Sequence, residues 1–186
     1  MKEILSPEHV RSYLTAEGKI LLSKGEDYYY VVRERFNRTG DPLDFIFFNR
    51  SCFNGVMRFN SKGEFNILFF RKRDCFRQAY VTKIVNQISQ ILIIMQDKDW
   101  EFRIGDWRDV LENITEDDLV YLDPPYIGRH TDYYQQWSED DAADLARIAR
   151  NSPCGFALSM WKENKYRLNQ HITSYWDGLV ERTFIT

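Results

Sequence analysis

The sequence predicts an α/β chain in two parts: a mostly helical region with a β-hairpin, then a partial sheet covered by helices. Three observations predict it. Apolar residues recur at helical spacing through most of the first hundred positions. An alternating stretch near residues 56–67 interrupts them around a turn. From about residue 100, short apolar runs alternate with helical stretches, the rhythm of a parallel sheet. This change of rhythm alone sets the boundary, giving regions 1–98 and 99–186, because the chain has no internal repeat and no Gly/Ser-rich linker.

Ser6-Pro7-Glu8 starts the first helix, with serine capping free amides and proline sitting where no N–H is needed. Tyr28, Val31, Val32 and Phe36 place a second helix over Asp27–Phe36, stopped by Gly40-Asp41-Pro42. Pro42–Arg50 reads as a third, dense in aromatics at Phe45, Phe47 and Phe48. Val56–Asn60 and Glu64–Ile67 flank the turn-forming Ser61-Lys62-Gly63 and read as the arms of a hairpin. Phe76–Met95 reads as one long amphipathic helix. Beyond it, strands are expected at Glu101–Ile104, Leu119–Leu122, Phe156–Met160 and Leu179–Ile185. Helices are expected at Arg108–Leu111, Glu139–Arg150 and Lys165–Tyr175.

A chain of 186 residues can bury roughly 70% of its unfolded surface, so it needs no disulfide or metal staple. With 44% hydrophobic and 28% charged residues, it is no disordered tail. Cys52, Cys75 and Cys154 form no CxxC pair and have no histidine at ligand spacing. That excludes a disulfide framework and a zinc site, and no metal is expected. No signal-peptide run opens the chain, and Ile91–Met95 is far too short to cross a bilayer. The expectation is a soluble cytoplasmic protein with no membrane partner.

The aromatic share is high at 16%, and the formal net charge of −3 hides segregation. Residues 50–77 carry seven basic groups (Arg50, Arg58, Lys62, Arg71, Lys72, Arg73, Arg77) against Glu64 and Asp74, a net +5, which leaves −8 for the remainder. A short basic stretch in an otherwise acidic chain points to a local polyanion contact, a solvated face being the plain alternative.

The sharpest signal is Val120-Tyr121-Leu122 running straight into Asp123-Pro124-Pro125-Tyr126. In an open α/β sheet, ligands bind beyond the carboxyl ends of the strands, where this tetrad falls. Two prolines fix the local backbone and remove two N–H donors, so the carbonyls there face something other than their own chain. A carboxylate, rigid carbonyls and a stacking ring are well suited to holding a planar base by its exocyclic amino group. An ordinary strand-ending turn with a surface tyrosine is the alternative.

Asp-Pro-Pro-Tyr after an apolar strand resembles the catalytic motif of amino-methyltransferases that act on adenine in DNA. Phe48–Asn66 resembles the target-recognition hairpin of the Dam-type DNA adenine methyltransferases. Phe102–Leu111 resembles the strand end that meets the adenine of the cofactor S-adenosylmethionine. Three segments in the family's order extend the resemblance over essentially the whole chain. The fold it implies is an incomplete Rossmann-like methyltransferase sheet beside a helical target-recognition region. The activity it implies is methyl transfer to adenine in a specific double-stranded DNA sequence, within a restriction-modification or phage/host methylation system.

The resemblance also implies roles. A target adenine is flipped from the stack, since its amino group is unreachable inside the duplex. Asp123 and the Pro124 carbonyl accept hydrogen bonds from that amino group, Pro125 keeps the backbone rigid, and Tyr126 stacks on the ring. Asp106 and Trp107 hold the cofactor's adenine, and Asp123 also faces its methionine end. In the hairpin, Arg58 reads a base edge, since arginine pairs with guanine in the major groove, and Val56 meets a thymine methyl. Phe53 and Asn54 fill the gap left by the flipped base. Arg50, Lys62, Arg71 and Arg73 touch phosphates. A core aromatic is the alternative for Phe53, and a solvated turn for Arg71–Arg73. His130, in a segment resembling a mobile loop, reads as a surface histidine rather than a base.

Two departures stand out. Where the family commonly has a Pro, Phe, Gly run after the hairpin, this sequence has Leu68-Phe69-Phe70. The family's glycine-rich cofactor loop is missing, because the nine glycines contain no GxG. The expectation is therefore a carboxyl-terminal portion, a truncated product or one half of a split enzyme, with an amino-terminal methyltransferase fragment as partner. The alternative is a catalytically inactive DNA-binding remnant.

Overall fold

A computed structural model describes residues 6–125, 137–162 and 168–179. The chain divides into two compact units, one up to Glu101 and one from Phe102.

In the first unit, α1 (Pro7–Lys24) begins where the Ser6 hydroxyl accepts from the His9 amide, and its end is capped by Gly25. α2 (Glu26–Thr39) stops at Gly40, whose φ of 65° suits a residue without a Cβ. α3 (Pro42–Ser51) starts from Asp41, whose carboxylate accepts from the Leu43 amide. α4 (Gln78–Ile94) follows a long connection. The four helices share a core that includes Val10, Leu14, Leu21, Val32, Phe47 and Phe48, all fully buried. The aromatics of α3 enter it: Phe47 stacks on Phe76 with centroids 5.0 Å apart, and Phe48 meets Phe65 at 4.6 Å.

One carboxylate sits within this core. Asp44 is fully buried and receives both arms of the Arg35 fork, at 2.9 Å from Nε and 2.6 Å from Nη2. The Tyr13 hydroxyl also donates to it. Arg35 reaches Glu17 at 3.2 Å, and Glu17 in turn accepts from the Tyr28 hydroxyl at 2.7 Å. Burying that charge is tolerable because every partner is a charge-assisted donor. The network links α1, α2 and α3.

The regular β-hairpin expected near 56–67 is replaced by two isolated antiparallel bridges, Cys52 to Phe69 and Phe59 to Phe65, with a 3-10 turn at Phe53–Gly55. The chain still reverses at residues 61–63. Asn60 N–H donates to the Glu64 carbonyl, and Gly63 N–H to the Asn60 carbonyl, both at 2.9 Å. Side chains of α2, rather than a further strand, bond the outer backbone edge of the second arm.

In the second unit, α5 (Trp107–Leu111), β1 (Leu119–Leu122), α6 (Glu139–Arg150), β2 (Gly155–Leu158) and α7 (Gln170–Tyr175) follow in order. β1 and β2 pair in parallel, from Leu119 opposite Gly155 to Leu122 opposite Leu158. Parallel neighbours need a crossover, which α6 supplies. Its start is a reciprocal capping box of Ser138 and Asp141. Leu122, Leu145, Ala146, Ala149 and Trp176 form the core. The described residues thus hold one β-α-β unit of a mixed fold.

Two expectations need correction here. Residues 101–104 are irregular, not a strand, and Phe102 and Ile104 are exposed. An apolar run becomes a strand when its side chains pack into a core, and those of Phe102 and Ile104 lie outside their unit's core cluster. β2 ends two residues before Met160. The strand expected at Leu179–Ile185 lies outside the described residues except for Leu179, which is in a turn. So do residues 165–167 of the helix expected over Lys165–Tyr175. Among the described residues, no helix is long and apolar enough to cross a membrane.

Candidate active site and nucleic-acid interface

The Asp-Pro-Pro run leaves β1 at its carboxyl end, directly after the buried Leu122. Asp123 is exposed, Pro124 buried and Pro125 half-buried. On the neighbouring strand, Ser159 N–H donates to the Leu122 carbonyl at 2.8 Å, which holds the two strand ends together. Asp123 therefore projects beyond the carboxyl ends of both parallel strands, the position at which open α/β sheets take ligands. Tyr126 and the 127–134 loop with His130 lie outside the described residues.

Asp106 has a local role of its own. As the residue before α5, it accepts from the Arg108 amide at 2.9 Å. The Arg108 guanidinium is a hub, 3.3 Å from Asp106, 2.6 Å from Asp141 and 3.6 Å from Asp144. Ser138 and Arg108 together pull the Asp141 carboxyl down to about 2. Arg108 also lies 4.3 Å over the ring of Trp107, which is half-buried and 5.9 Å from Trp137. Spacing gave no hint of the Arg108 hub, although Ser138-x-x-Asp141 was a readable capping signal. These side chains fit the adenine end of S-adenosylmethionine: the Asp106 oxygens keep a lone pair beyond the three bonds they accept from Arg108, and the Trp107 indole is partly open. No residue of the sequence supplies a GxG cradle for the rest of that molecule.

In the first unit the alternation of the loop separates two faces. Cys52, Phe65, Ile67 and Phe69 are buried, while Phe53, Asn54, Val56, Arg58, Lys62, Leu68 and Phe70 are exposed. Phe53 is 54% exposed, which excludes the core-aromatic alternative. Its ring sits 6.3 Å from Phe70, and its amide donates to the Leu68 carbonyl at 2.9 Å. Asn54 and Gly55 both have positive φ, 54° and 66°, so the chain turns sharply at the tip. The Cys52 thiol donates to the Val56 carbonyl at 3.3 Å. Arg58 Nε donates to Asn66 Oδ1 at 3.3 Å.

The cations divide into two groups. Arg50 lies 4.0 Å over the Tyr80 ring, and Arg77 lies 4.8 Å from the same centroid and donates to its hydroxyl at 2.7 Å. That bond holds the Tyr80 hydroxyl below the usual tyrosine range. Arg71 occupies the left-handed region at φ 60°, and Arg73 packs over Gly25 at the α1–α2 corner. Sequence reasoning passed over Tyr80 and counted Arg77 only toward the basic stretch; their i, i+3 spacing was the available signal.

Comparison with known proteins places the family. The family model for D12 class N6 adenine-specific DNA methyltransferase matches residues 1–176. The chain is 31% identical to the type II methyltransferase M.MjaIII of Methanocaldococcus jannaschii, over 68% of this chain and 46% of that protein. It is 33% identical to the DNA adenine methylase of Haemophilus influenzae over 54% of this chain and 34% of that one. Against the DNA adenine methylase of Escherichia coli it is 29% identical, over 83% of this chain and 46% of the relative. It therefore spans about half the length, or less, of the relatives it matches. With a family match over nearly every residue, and Asp-Pro-Pro at the mouth of a parallel strand pair, the chain belongs to the D12 class of N6 adenine-specific DNA methyltransferases.

Proposed function

We propose that this chain forms the target-reading and catalytic portions of an enzyme that methylates the exocyclic amino group of a flipped adenine in a specific double-stranded DNA sequence. The observation that carries the reading is Asp123-Pro124-Pro125 beyond the carboxyl end of β1, in a chain of this family. The Asp123 carboxylate and the Pro124 carbonyl would accept the two amino hydrogens and turn the nitrogen lone pair toward the methyl carbon, so that the C–N bond forms as that carbon's bond to its sulfonium leaving group breaks and the nitrogen gives up a proton. Tyr126 stacks on the flipped ring. Asp106, Trp107 and Asp123 hold S-adenosylmethionine, which supplies an electrophilic methyl group when bound. Holding these partners in line is the main contribution of such a site, since no covalent enzyme intermediate is involved.

On the first unit, Arg58 reads a base edge, Val56 meets a thymine methyl, and Phe53 with Asn54 fills the emptied stack. Arg50, Lys62, Arg71 and Arg73 contact phosphates. The glycine-rich cradle comes from another segment or chain, an amino-terminal methyltransferase fragment. Two facts support this: the sequence has no GxG, and Leu119 and Tyr121 of β1 are 78% and 68% exposed, awaiting a further layer. The assembled enzyme works in the cytoplasm, in a restriction-modification or phage/host methylation system.

The test is tritiated methyl transfer to duplex DNA, by this chain alone and with an amino-terminal fragment carrying the cradle. Incorporation is expected with both pieces only, and Asp123→Ala should lower it by about 10²- to 10³-fold while duplex binding persists. Activity of the chain alone would refute the divided cofactor site. No incorporation in either case favours a catalytically inactive DNA-binding remnant, a reading that the missing GxG also supports.

A further inference from the structure

α2 presents Tyr29, Arg33 and Asn37 on one face, four residues and about 6 Å apart at each step. Alternate residues of an extended arm repeat every ~6.6 Å, so such a row can follow one edge of a strand bond for bond. The Asn37 carboxamide accepts from the Phe65 N–H at 2.8 Å and donates to the Phe65 carbonyl at 3.1 Å, the two bonds a neighbouring strand would make. At the next step, the Tyr29 hydroxyl and Arg33 guanidinium donate to the Ile67 carbonyl at 2.9 and 3.4 Å. Tyr29 is fully buried, with its ring 5.2 Å from that of Phe69. α2 thus takes the place of an edge strand and covers a backbone row that another chain could otherwise pair with.

Phe65 and Ile67 are 1% and 8% exposed, so Asn66 between them faces away from the core. There its Oδ1 accepts from Arg58 Nε. On the first arm, Phe59, next to Arg58, bridges Phe65. Register is therefore set on the helix side and expressed at Arg58. A slip of one residue would turn Asn66 inward and push Phe65 or Ile67 out.

We propose that Asn37 is a positioning residue for DNA reading: its two bonds to Phe65 lock the register of the second arm and hold Asn66 where it orients Arg58. The inference rests on the proposal that Arg58 reads a base edge. A well-placed arginine discriminates among bases by roughly 10- to 100-fold, and loses that once its fork is misdirected.

The 186-residue chain would be incubated with a randomised duplex pool, and the bound DNA sequenced, for the unmodified protein and for Asn37→Ala, Asn37→Asp, Arg58→Ala and Val10→Ala. Val10→Ala is a core change on α1 that lowers the melting temperature without removing a bond to the arm. Amide exchange at Phe65 and Ile67 is followed in parallel. Asn37→Ala is expected to flatten the selected motif at the position that Arg58→Ala flattens, by roughly 10-fold or more, while exchange at Phe65 accelerates and non-specific affinity persists. Asn37→Asp keeps the acceptor for the Phe65 amide and falls between, and Val10→Ala keeps the motif. An unchanged motif in Asn37→Ala, where Arg58→Ala loses it, overturns the positioning role and leaves the Arg58 reading standing. Equal flattening by Val10→Ala also overturns it, since general destabilisation then suffices. If the unmodified chain selects no motif, or Arg58→Ala changes none, the Arg58 reading fails and this inference fails with it.

Discussion

Cys52 and Cys75 lie in the core of the first unit, 1% and 2% exposed, and burial pushes their thiols up to about 11 and about 12. An unfolded cysteine ionises near pH 8.5 (approximately), so the folded state favours the proton over the window between the two values. Raised folded-state values mean that this stability is fully present below about pH 8.5 and is lost as pH rises toward the folded values, at about 1.4 kcal/mol per pH unit per thiol. Urea midpoints measured between pH 8 and pH 10, before tyrosines ionise in bulk, should therefore fall (an interval set by ordinary thiol and phenol values of about 8.5 and about 10). Cys75→Ala should roughly halve the slope, whatever it does to the absolute midpoint; an unchanged slope would show that other groups set the decline. At this scale the sequence is informative about reactivity in one direction only. Scattered cysteines without histidine neighbours carry no signal of a bridge or a zinc site, and Cys52, Cys75 and Cys154 are free thiols. It is silent about Asp44 and Arg35, nine positions apart on different helices, because their pairing needs the α2–α3 turn to be folded first. Asp106 shows the same limit: its residue type suited a cofactor contact, while its capping bond and its pairing with Arg108 depend on α5 forming, and the second partner of Arg108, Asp141, depends on α6 lying beside α5.

The middle of α1 carries a glycine, which costs about 1 kcal/mol relative to alanine in a helix interior. Packing explains Gly18, since a Cβ there would meet the Cβ of Phe76 at 2.5 Å, a backbone-proximal atom that no rotamer change can move. Phe76 is itself stacked on Phe47, so it has little room to retreat. Gly18→Ala should destabilise the first unit by about 1–3 kcal/mol despite the better helix propensity, read from urea unfolding followed by far-UV circular dichroism. A rise in stability would mean that α1 and the segment entering α4 can separate at little cost. Elements whose ends carry chemical punctuation were legible. Ser6-Pro7 marks the start of α1, Gly40-Asp41-Pro42 the end of α2 and the start of α3, and the apolar run ending at Asp123 marks β1. The hairpin and the 101–104 strand were not, for one physical reason: a strand is defined by what lies beside it. In the first case the outer neighbour of the second arm is a helix face carrying Asn37 and Tyr29, and two isolated bridges stand where alternation suggested a ladder.

Across the whole molecule, charge follows the division into units. Residues 1–101 carry 16 basic and 13 acidic side chains, a net +3, and residues 102–186 carry 9 and 15, a net −6. The overall −3 is thus the sum of a positive part bearing the exposed Phe53, Arg58 and Lys62 and a negative part bearing Asp123. Sequence arithmetic found the basic stretch at 50–77 in an otherwise acidic chain, and the unit boundary adds that most of the acidic excess belongs to residues 102–186. If that stretch meets a duplex at about five phosphates, log affinity should fall against log salt with a slope of about −4 to −5. The acidic unit opposes this attraction through a field that salt screens within about 10 Å at 0.1 M. A fragment of residues 1–101, which contains its own buried core, should therefore bind a labelled duplex more tightly than the whole chain at low salt. The two affinities should converge as potassium chloride rises past about 0.3 M, where the Debye length is shorter than a helix diameter. Fluorescence anisotropy over a salt series gives both slopes, and circular dichroism checks that the fragment stays helical. If the whole chain binds more tightly at every salt, the second unit makes duplex contacts strong enough to outweigh its charge, and the first unit is then one part of the DNA surface rather than its main anchor.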